Sequence, residues 1–304
     1  MSVQTQIDRI NSAKTAIGAA IAGKGVTVPS GTKIDGMAAL VEAIQAGGGS
    51  GGAEDKSAEL IERSITQISN ANAKSIGSYA FYYYSSLTSA NFPTCTTIGP
   101  SAFYYCAKLT NVSFPACKTI ESSAFRGCSS LTSANFPTCT TIGPSAFCSC
   151  SKMTNANFPA CTTIGSNAFY GCSSLTSVNF PECTTIQNYG FSYCLTLTSV
   201  NFPKCTTLNG SVFHTCISLN TAIFPKCTTI GYSAFYSCKT FKALVLAGSS
   251  VCKLSQSGAL SSTAIANGIG YIYVPSSLVA SYKAETNWTY FSNQISAIED
   301  SEFA

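Results

Sequence analysis

Phenylalanine returns every 22 residues through the middle of this 304-residue chain: Phe81, Phe103, Phe125, Phe147, Phe169, Phe191, Phe213 and Phe235 share one register. Pro93, Pro115, Pro137, Pro159, Pro181, Pro203 and Pro225 share a second register of the same period. Self-similarity at a fixed period of this size is the signature of stacked units that bury one continuous core. The unit reads LTSANFPTCTTIGPSAFYYCAK from Leu87 to Lys108. Eight units begin at Ile65, Leu87, Leu109, Leu131, Met153, Leu175, Leu197 and Leu219 and run through Thr240.

Within one unit Leu87, Ala90, Phe92, Cys95, Ile98, Ala102, Phe103 and Cys106 are the candidates for the interior. Ala90 and Phe92 alternate with Ser89 and Asn91, the pattern of a strand with one buried face. Pro93 ends that strand, because proline has no N–H to give to a ladder. Thr96 to Ile98 read as a second short extended segment. Gly99, matched by Gly77, Gly143, Gly165 and Gly231, reads as a turn, and Ser101 to Tyr105 as a single helical turn. Coils paired in register at ~4.8 Å would give a stack of roughly 40 Å.

The strings LTSVNFPECTTI, Leu175 to Ile186, and SNAFYGCSSLTSV, Ser166 to Val178, resemble the repeats of the BspA-type leucine-rich repeat family. The resemblance covers about Ile65 to Phe241. It implies a repeat solenoid of right-handed leucine-rich-repeat-like coils, each with short parallel strands and helical turns. Cys95 and its equivalents depart from the family pattern, which usually has an aliphatic residue there.

Both ends differ from the array. Residues 1–46 read as a small two-helix attachment or assembly module. Its first helix carries Val3, Ile7, Ile10, Ile17 and Ile21 on one seam, interrupted by Lys14; the seam fits either packing on the neighbouring helix or self-association into a homo-oligomer. Asp35 can cap a second helix with Met37, Leu40, Val41 and Ile44 on its apolar side. Residues 47–53, containing GGGSGG, read as a flexible linker, and residues 54–64 as a lead-in. Asn70 stands where later units have Phe, as in a capping repeat. Residues 241–304 read as an irregular ninth coil and a C-terminal cap: Cys252 arrives late, Tyr271 to Pro275 form a terminal strand, and Ser276 to Trp288 form a helix. Trp288, Tyr290, Phe291, Ile295 and Ile298 are expected to cover the last coil. This end resembles caps on such repeat proteins in Firmicutes and their phages, and Ser12 to Ile44 resemble short N-terminal segments of phage tail-associated proteins.

Composition excludes several functions. Charged residues are 10% of the chain and the formal net charge is +4, without the basic clusters interleaved with aromatics that nucleic acid binding needs. No apolar run approaches the ~20 residues of a membrane span, so no membrane insertion is expected. The cysteines fall in two columns, Cys95, Cys117, Cys139, Cys161, Cys183, Cys205 and Cys227, and Cys106, Cys128, Cys150, Cys172, Cys194, Cys216 and Cys238; Cys148 and Cys252 stand outside both. Zinc wants converging ligands, usually with a close Cys pair. In-register cysteines keep their Cβ atoms ~4.8 Å apart, beyond the ~3.8 Å that a disulfide prefers. Buried reduced thiols remain, which suits folding in a reducing cytosol. His214 is the sole histidine, and acidic residues are scarce in the array, so no catalytic set is expected. Neither metal nor cofactor is expected.

The positions that vary while the core repeats are those just after each Phe. They hold Tyr82 and Tyr83, Tyr104 and Tyr105, Arg126 and Gly127, Tyr170 and Gly171, Ser192 and Tyr193, His214 and Thr215, then Tyr236 and Ser237. Tyrosine beside Ser and Gly is the composition of recognition surfaces, where a rigid ring binds at little entropic cost. Aligned on successive coils, Tyr82, Tyr83, Tyr104, Tyr105, Arg126, Tyr170, Tyr193, His214 and Tyr236 would form one stripe for a host cell-surface glycan or protein. The order of module, linker and rigid array, with the resemblances of the ends, suggests a non-enzymatic phage tail-fibre or tail-tip protein located in the virion and joined to other tail proteins through residues 1–46. The alternatives are a bacterial cell-surface leucine-rich-repeat adhesin, expected to carry an export signal and anchor, and an intracellular protein-binding scaffold.

Overall fold

The computed structural model describes residues 65–303. The two-helix reading, the seam Val3, Ile7, Ile10, Ile17 and Ile21, the Gly/Ser linker and the lead-in lie outside the described residues.

Each coil has three sides. The first carries the three-residue strand, as in Ser89–Asn91, and the second a two-residue strand, as in Thr97–Ile98. Strands pair in parallel with equivalents on adjacent coils, 22 residues away through the regular array; Ala90 faces Val112, and Ile98 faces Ile120. The second side forms one unbroken ladder of nine strands from Ser75–Ile76 to Lys253–Leu254. The first side is divided into three sheets, with breaks after Asn111–Ser113 and after Ser177–Asn179.

The third side corrects the helical-turn expectation. Ser101 and Tyr105 have φ of 53° and 55°, outside the helical region. Alternate N–H groups leave the coil: Ser101, Phe103 and Tyr105 donate to the carbonyls of Ser122, Ala124 and Arg126 at 2.9, 2.7 and 2.7 Å. Between them Ala102, Tyr104 and Cys106 donate three residues back within the coil. A helical turn would satisfy those N–H groups locally and leave this side of the stack unbonded. Gly99 is also more than a turn residue. A Cβ there would lie 2.7 Å from the Ile76 carbonyl oxygen and 2.9 Å from Gly77, so glycine lets adjacent coils approach.

Two phenylalanine columns fill the interior. Phe103 stacks on Phe125 at 5.1 Å, Phe92 stacks on Phe114 at 5.5 Å, and Phe103 meets Phe114 edge-to-face at 5.9 Å. These are favoured aromatic arrangements and repeat along the stack. Both cysteine columns are buried and reduced. Cys106 donates its thiol to the Phe81 carbonyl of the preceding coil at 3.0 Å, and Cys128 does the same to Phe103 at 3.1 Å. Cys95 donates within its own coil to the Thr97 carbonyl at 3.2 Å. A thiol thus fills the space of a small hydrophobe and also supplies a weak donor to a backbone carbonyl, which an aliphatic side chain lacks. Burial pushes the Cys106 thiol up to about 12.

In the first described coil Asn70 is buried, and its Oδ1 accepts from the N–H groups of Asn72 and Ala73 at 2.9 and 3.0 Å. At the other end the stack runs further than expected. Tyr271–Val274 pairs with Ala243–Val245 and is not terminal, since Ile295–Ala297 adds another parallel strand beside it. The expected helix is reduced to a 3₁₀ turn, Ser276–Leu278, and a six-residue α-helix, Val279–Ala284. Glu285 turns extended and ends it. Trp288, Phe291 and Ile295 are buried against the last coils, whereas Tyr290 is 73% exposed and Ile298 only half-buried.

Trp288 holds this end. Its Nε1–H donates to the Cys252 carbonyl at 2.7 Å, while the Tyr282 hydroxyl accepts from the Cys252 N–H at 2.8 Å. Trp288→Phe keeps most of the apolar contact but strands a buried carbonyl. It is expected to destabilise the protein by about 1–3 kcal/mol, read as a lower urea midpoint with unchanged slope; an unchanged midpoint would show that water replaces the indole.

Candidate functional site

Two columns of left-handed residues on the third side decide how the variable side chains are displayed. Four residues separate them within a coil, as in Tyr79 and Tyr83 or Tyr189 and Tyr193, with φ of 58°, 59°, 60° and 60°. Gly127 and Gly171 occupy the second column at φ of 74° and 70°, the residue such a backbone prefers. Bulky tyrosines there carry roughly 1–2 kcal/mol of local strain each. Bonds to the next coil hold them in place, as from Tyr105 N–H to the Arg126 carbonyl at 2.7 Å.

The expected single stripe is two clusters. In the first, Tyr82 stacks on Tyr104 at 4.9 Å and Tyr83 on Tyr105 at 5.4 Å, and Tyr82 meets Tyr83 edge-on at 4.5 Å. In the second, Tyr193 lies 5.2 Å from Tyr170 and 5.7 Å from His214, and His214 stacks on Tyr236 at 5.2 Å. Arg126 and Cys148 occupy the coils between, the first half-buried and the second buried. Gly127 closes one end of the first cluster, since a Cβ there would lie 2.9 Å from the Tyr105 ring.

The second cluster bridges a gap through Ser192. That side chain is buried and donates to the Ser211 carbonyl at 2.7 Å, leaving Tyr193 from the neighbouring column to span Tyr170 and His214. His214 Nδ1 is 2.9 Å from the Thr215 hydroxyl; its partners are thus a hydroxyl and two rings, with no nucleophile–acid pair among them. Among the described residues no group of three or more His, Cys, Asp or Glu is placed to hold a metal.

Three exposed tyrosines escaped the sequence reading. Tyr79, 61% exposed, meets Tyr82 edge-on at 5.4 Å. Burial raises the Tyr232 hydroxyl above its ordinary value, and the neighbouring Tyr189 adds to the shift. Tyr232 lies over Gly210, where a Cβ would come 2.2 Å from its ring. Tyr79 and Tyr189 sit two positions before the repeated Phe, in a column that is otherwise mostly Ser; scanning that column for bulky departures would have found them.

The stacked rings cover one another's faces and turn their edges and hydroxyls outward. Burial raises the Tyr82 hydroxyl above its ordinary value, with Tyr83 and Tyr104 adding to the shift. Burial and then Tyr193 do the same for Tyr170. These phenols stay protonated at neutral pH and can both donate and accept.

A family model described as the BspA type leucine-rich repeat region matches residues 62–160 and 140–265, in six copies. Together these spans cover about two thirds of the chain. The chain belongs to the BspA type leucine-rich repeat family. The match reaches past Phe241 into the irregular ninth coil. Among solved structures, a T. pallidum leucine-rich repeat protein is 21% identical, with 58% of this chain and 77% of that one covered at a TM-score of 0.41. A leucine rich cell surface protein from Faecalibacterium prausnitzii is 20% identical, with 75% and 82% covered at a TM-score of 0.33. A leucine-rich repeat protein from Bacteroides ovatus is 17% identical, with 77% and 92% covered at 0.34. No curated protein matches the chain. Among the described residues no helix is long and apolar enough to cross a membrane.

Proposed function

We propose that this BspA-type protein is a non-enzymatic recognition protein of a bacterial cell surface, with the two tyrosine clusters contacting a glycan or protein ligand. The observation that carries this reading is the placement of bulky tyrosines at left-handed positions where Gly127 and Gly171 stand in other coils. Strain of that kind opposes folding, so a role for the side chain outside the core accounts for its presence. Bonds between coils along the second and third sides keep the clusters rigid, which limits the entropy lost on binding.

Membership of the BspA-type family supports the surface location. The virion reading, a tail fibre or tail tip, rests on the order of N-terminal module, linker and array in the sequence and on the resemblance of the two ends to segments of phage proteins. Immunolabelling of intact producing cells and of purified phage particles separates the two: label on cells alone sinks the virion reading, and label on particles alone sinks the surface one.

The binding role is tested with Tyr83→Ala, Tyr105→Ala and Tyr193→Ala combined, the tyrosines at the left-handed positions of the two clusters, measured by retention on whole bacterial cells. The expected result is at least about tenfold weaker binding, of order 1.4 kcal/mol, with an unchanged melting temperature. Full binding by the triple variant would exclude both clusters as the contact.

A further inference from the structure

We infer that the second break in the first-side sheet is a binding groove for a neutral sugar, separate from the tyrosine clusters. The groove has a volume of about 400 Å³ and lies between the strands Ser177–Asn179 and Ser199–Asn201, within the size range of small-ligand sites.

Hydrogen bonds that recur elsewhere are missing at both ends of the break. In neighbouring coils Phe158 N–H donates to the Asn179 carbonyl and Phe202 N–H to the Ile223 carbonyl, each at 3.0 Å; Phe180 N–H makes no such bond to Asn201. Thr176 N–H donates to the Thr154 carbonyl at 3.0 Å and Asn220 N–H to Thr198 at 2.8 Å, whereas Thr198 N–H makes no such bond to Thr176. The side chains stop at the same place. Asn157 donates to Asn135 and Asn179 donates to Asn157, each at 2.7 Å, and Asn201 does not extend this ladder to the Asn179 oxygen.

At this break the inward column has two β-branched residues side by side, Val178 and Val200, each paired on its other side with an alanine. Val178 is left half-exposed. The earlier break lies between Val112 and Ala134.

The lining identifies the ligand class. It contains no charged residue, histidine or cysteine, so ions and metals have no partner. Ser177, Asn179, Ser199, Asn201 and Thr221 bring hydroxyls and carboxamides together, and Pro181 adds an apolar wall; the unpaired N–H groups of Phe180 and Thr198 lie next in sequence to these lining residues. A pyranose matches this set: its hydroxyls donate and accept, and its C–H face is apolar. An extended peptide fits less well, because a β-strand needs successive free groups along one edge, and the strands on either side of the groove are only three residues long.

The test is amide NMR of the full chain titrated with millimolar maltose, cellobiose, lactose and diacetylchitobiose. Saturable shifts at the Thr198 and Phe180 amides are expected with at least one of them. These should be lost in Ser199→Trp, which fills the groove from an outward position, and weakened at least about fivefold in Asn201→Ala, with melting temperatures confirming that both fold. They should persist in the triple tyrosine variant. Absence of saturable shifts with all four sugars, shifts unchanged by both groove variants, or shifts produced only by an extended Ser/Thr peptide would each overturn the assignment.

Discussion

In the presence of reductant, raising the pH from about 8 to about 11 is expected to unfold the solenoid. Burial holds the thiols of Cys106, Cys139, Cys161 and Cys205 at about 12, against roughly 8.5 in an unfolded chain. Below the unfolded value both states are protonated and the thiols have no effect on the equilibrium. Above it the unfolded chain releases protons that the folded chain keeps, so stability falls by about 1.4 kcal/mol per pH unit for each thiol until the folded value is reached. Four thiols together remove on the order of 5 kcal/mol per unit between pH ~9 and ~12, comparable with the whole stability of many domains. Thermal melts by circular dichroism should show a steep fall of melting temperature over that window. Replacing Cys106 and Cys139 with Val should make the fall shallower, which separates the thiols from lysine and tyrosine titration. A flat profile to pH 10.5 would sink the idea.

Phe147→Ala is expected to lower stability by about 3–5 kcal/mol. The ring is fully buried. It stacks on Phe125 at 5.2 Å and Phe169 at 5.3 Å, and meets Phe136 and Phe158 edge-to-face at 6.0 and 5.7 Å. A cavity there breaks aromatic contact with the coils on either side, so in a nearest-neighbour array the damage spreads both ways. Phe81→Ala, in the first described coil, touches Phe103 and Phe92 in the next coil but only Tyr84 in its own, and should cost less. Urea melts of the two variants decide this: equal losses would mean that the stack does not transmit the defect between coils.

Much of the interior could be read from the sequence because in-register stacking gives equivalent residues equivalent surroundings. Phe92, Phe103, Cys95, Cys106 and Ile98 are buried as their columns predict, and Ser89–Asn91 is the strand that the alternation and Pro93 imply. The third side was not legible. Ser, Ala and Tyr between Gly99 and Cys106 suit a helical turn locally, and only contact with the next coil draws alternate N–H groups outward. The tyrosine edge was legible in its columns but not in its division, because Ser192 allows Tyr193 to cross over while Arg126 and Cys148 keep the clusters apart. The end of the stack was partly legible: the burial of Trp288 follows from its apolar character, whereas the strand Ile295–Ala297 has no sequence signal.

The 22-residue stretch from Leu87 to Lys108 determined by itself that the chain would stack in register and which side chains would face inward, because period and polarity act within each coil. Tertiary structure decided where hydrogen bonds pass between coils, where the first-side sheet parts beside Val178, and which tyrosines touch. Those outcomes depend on the fit of one coil against the next, and no single repeat contains its neighbour.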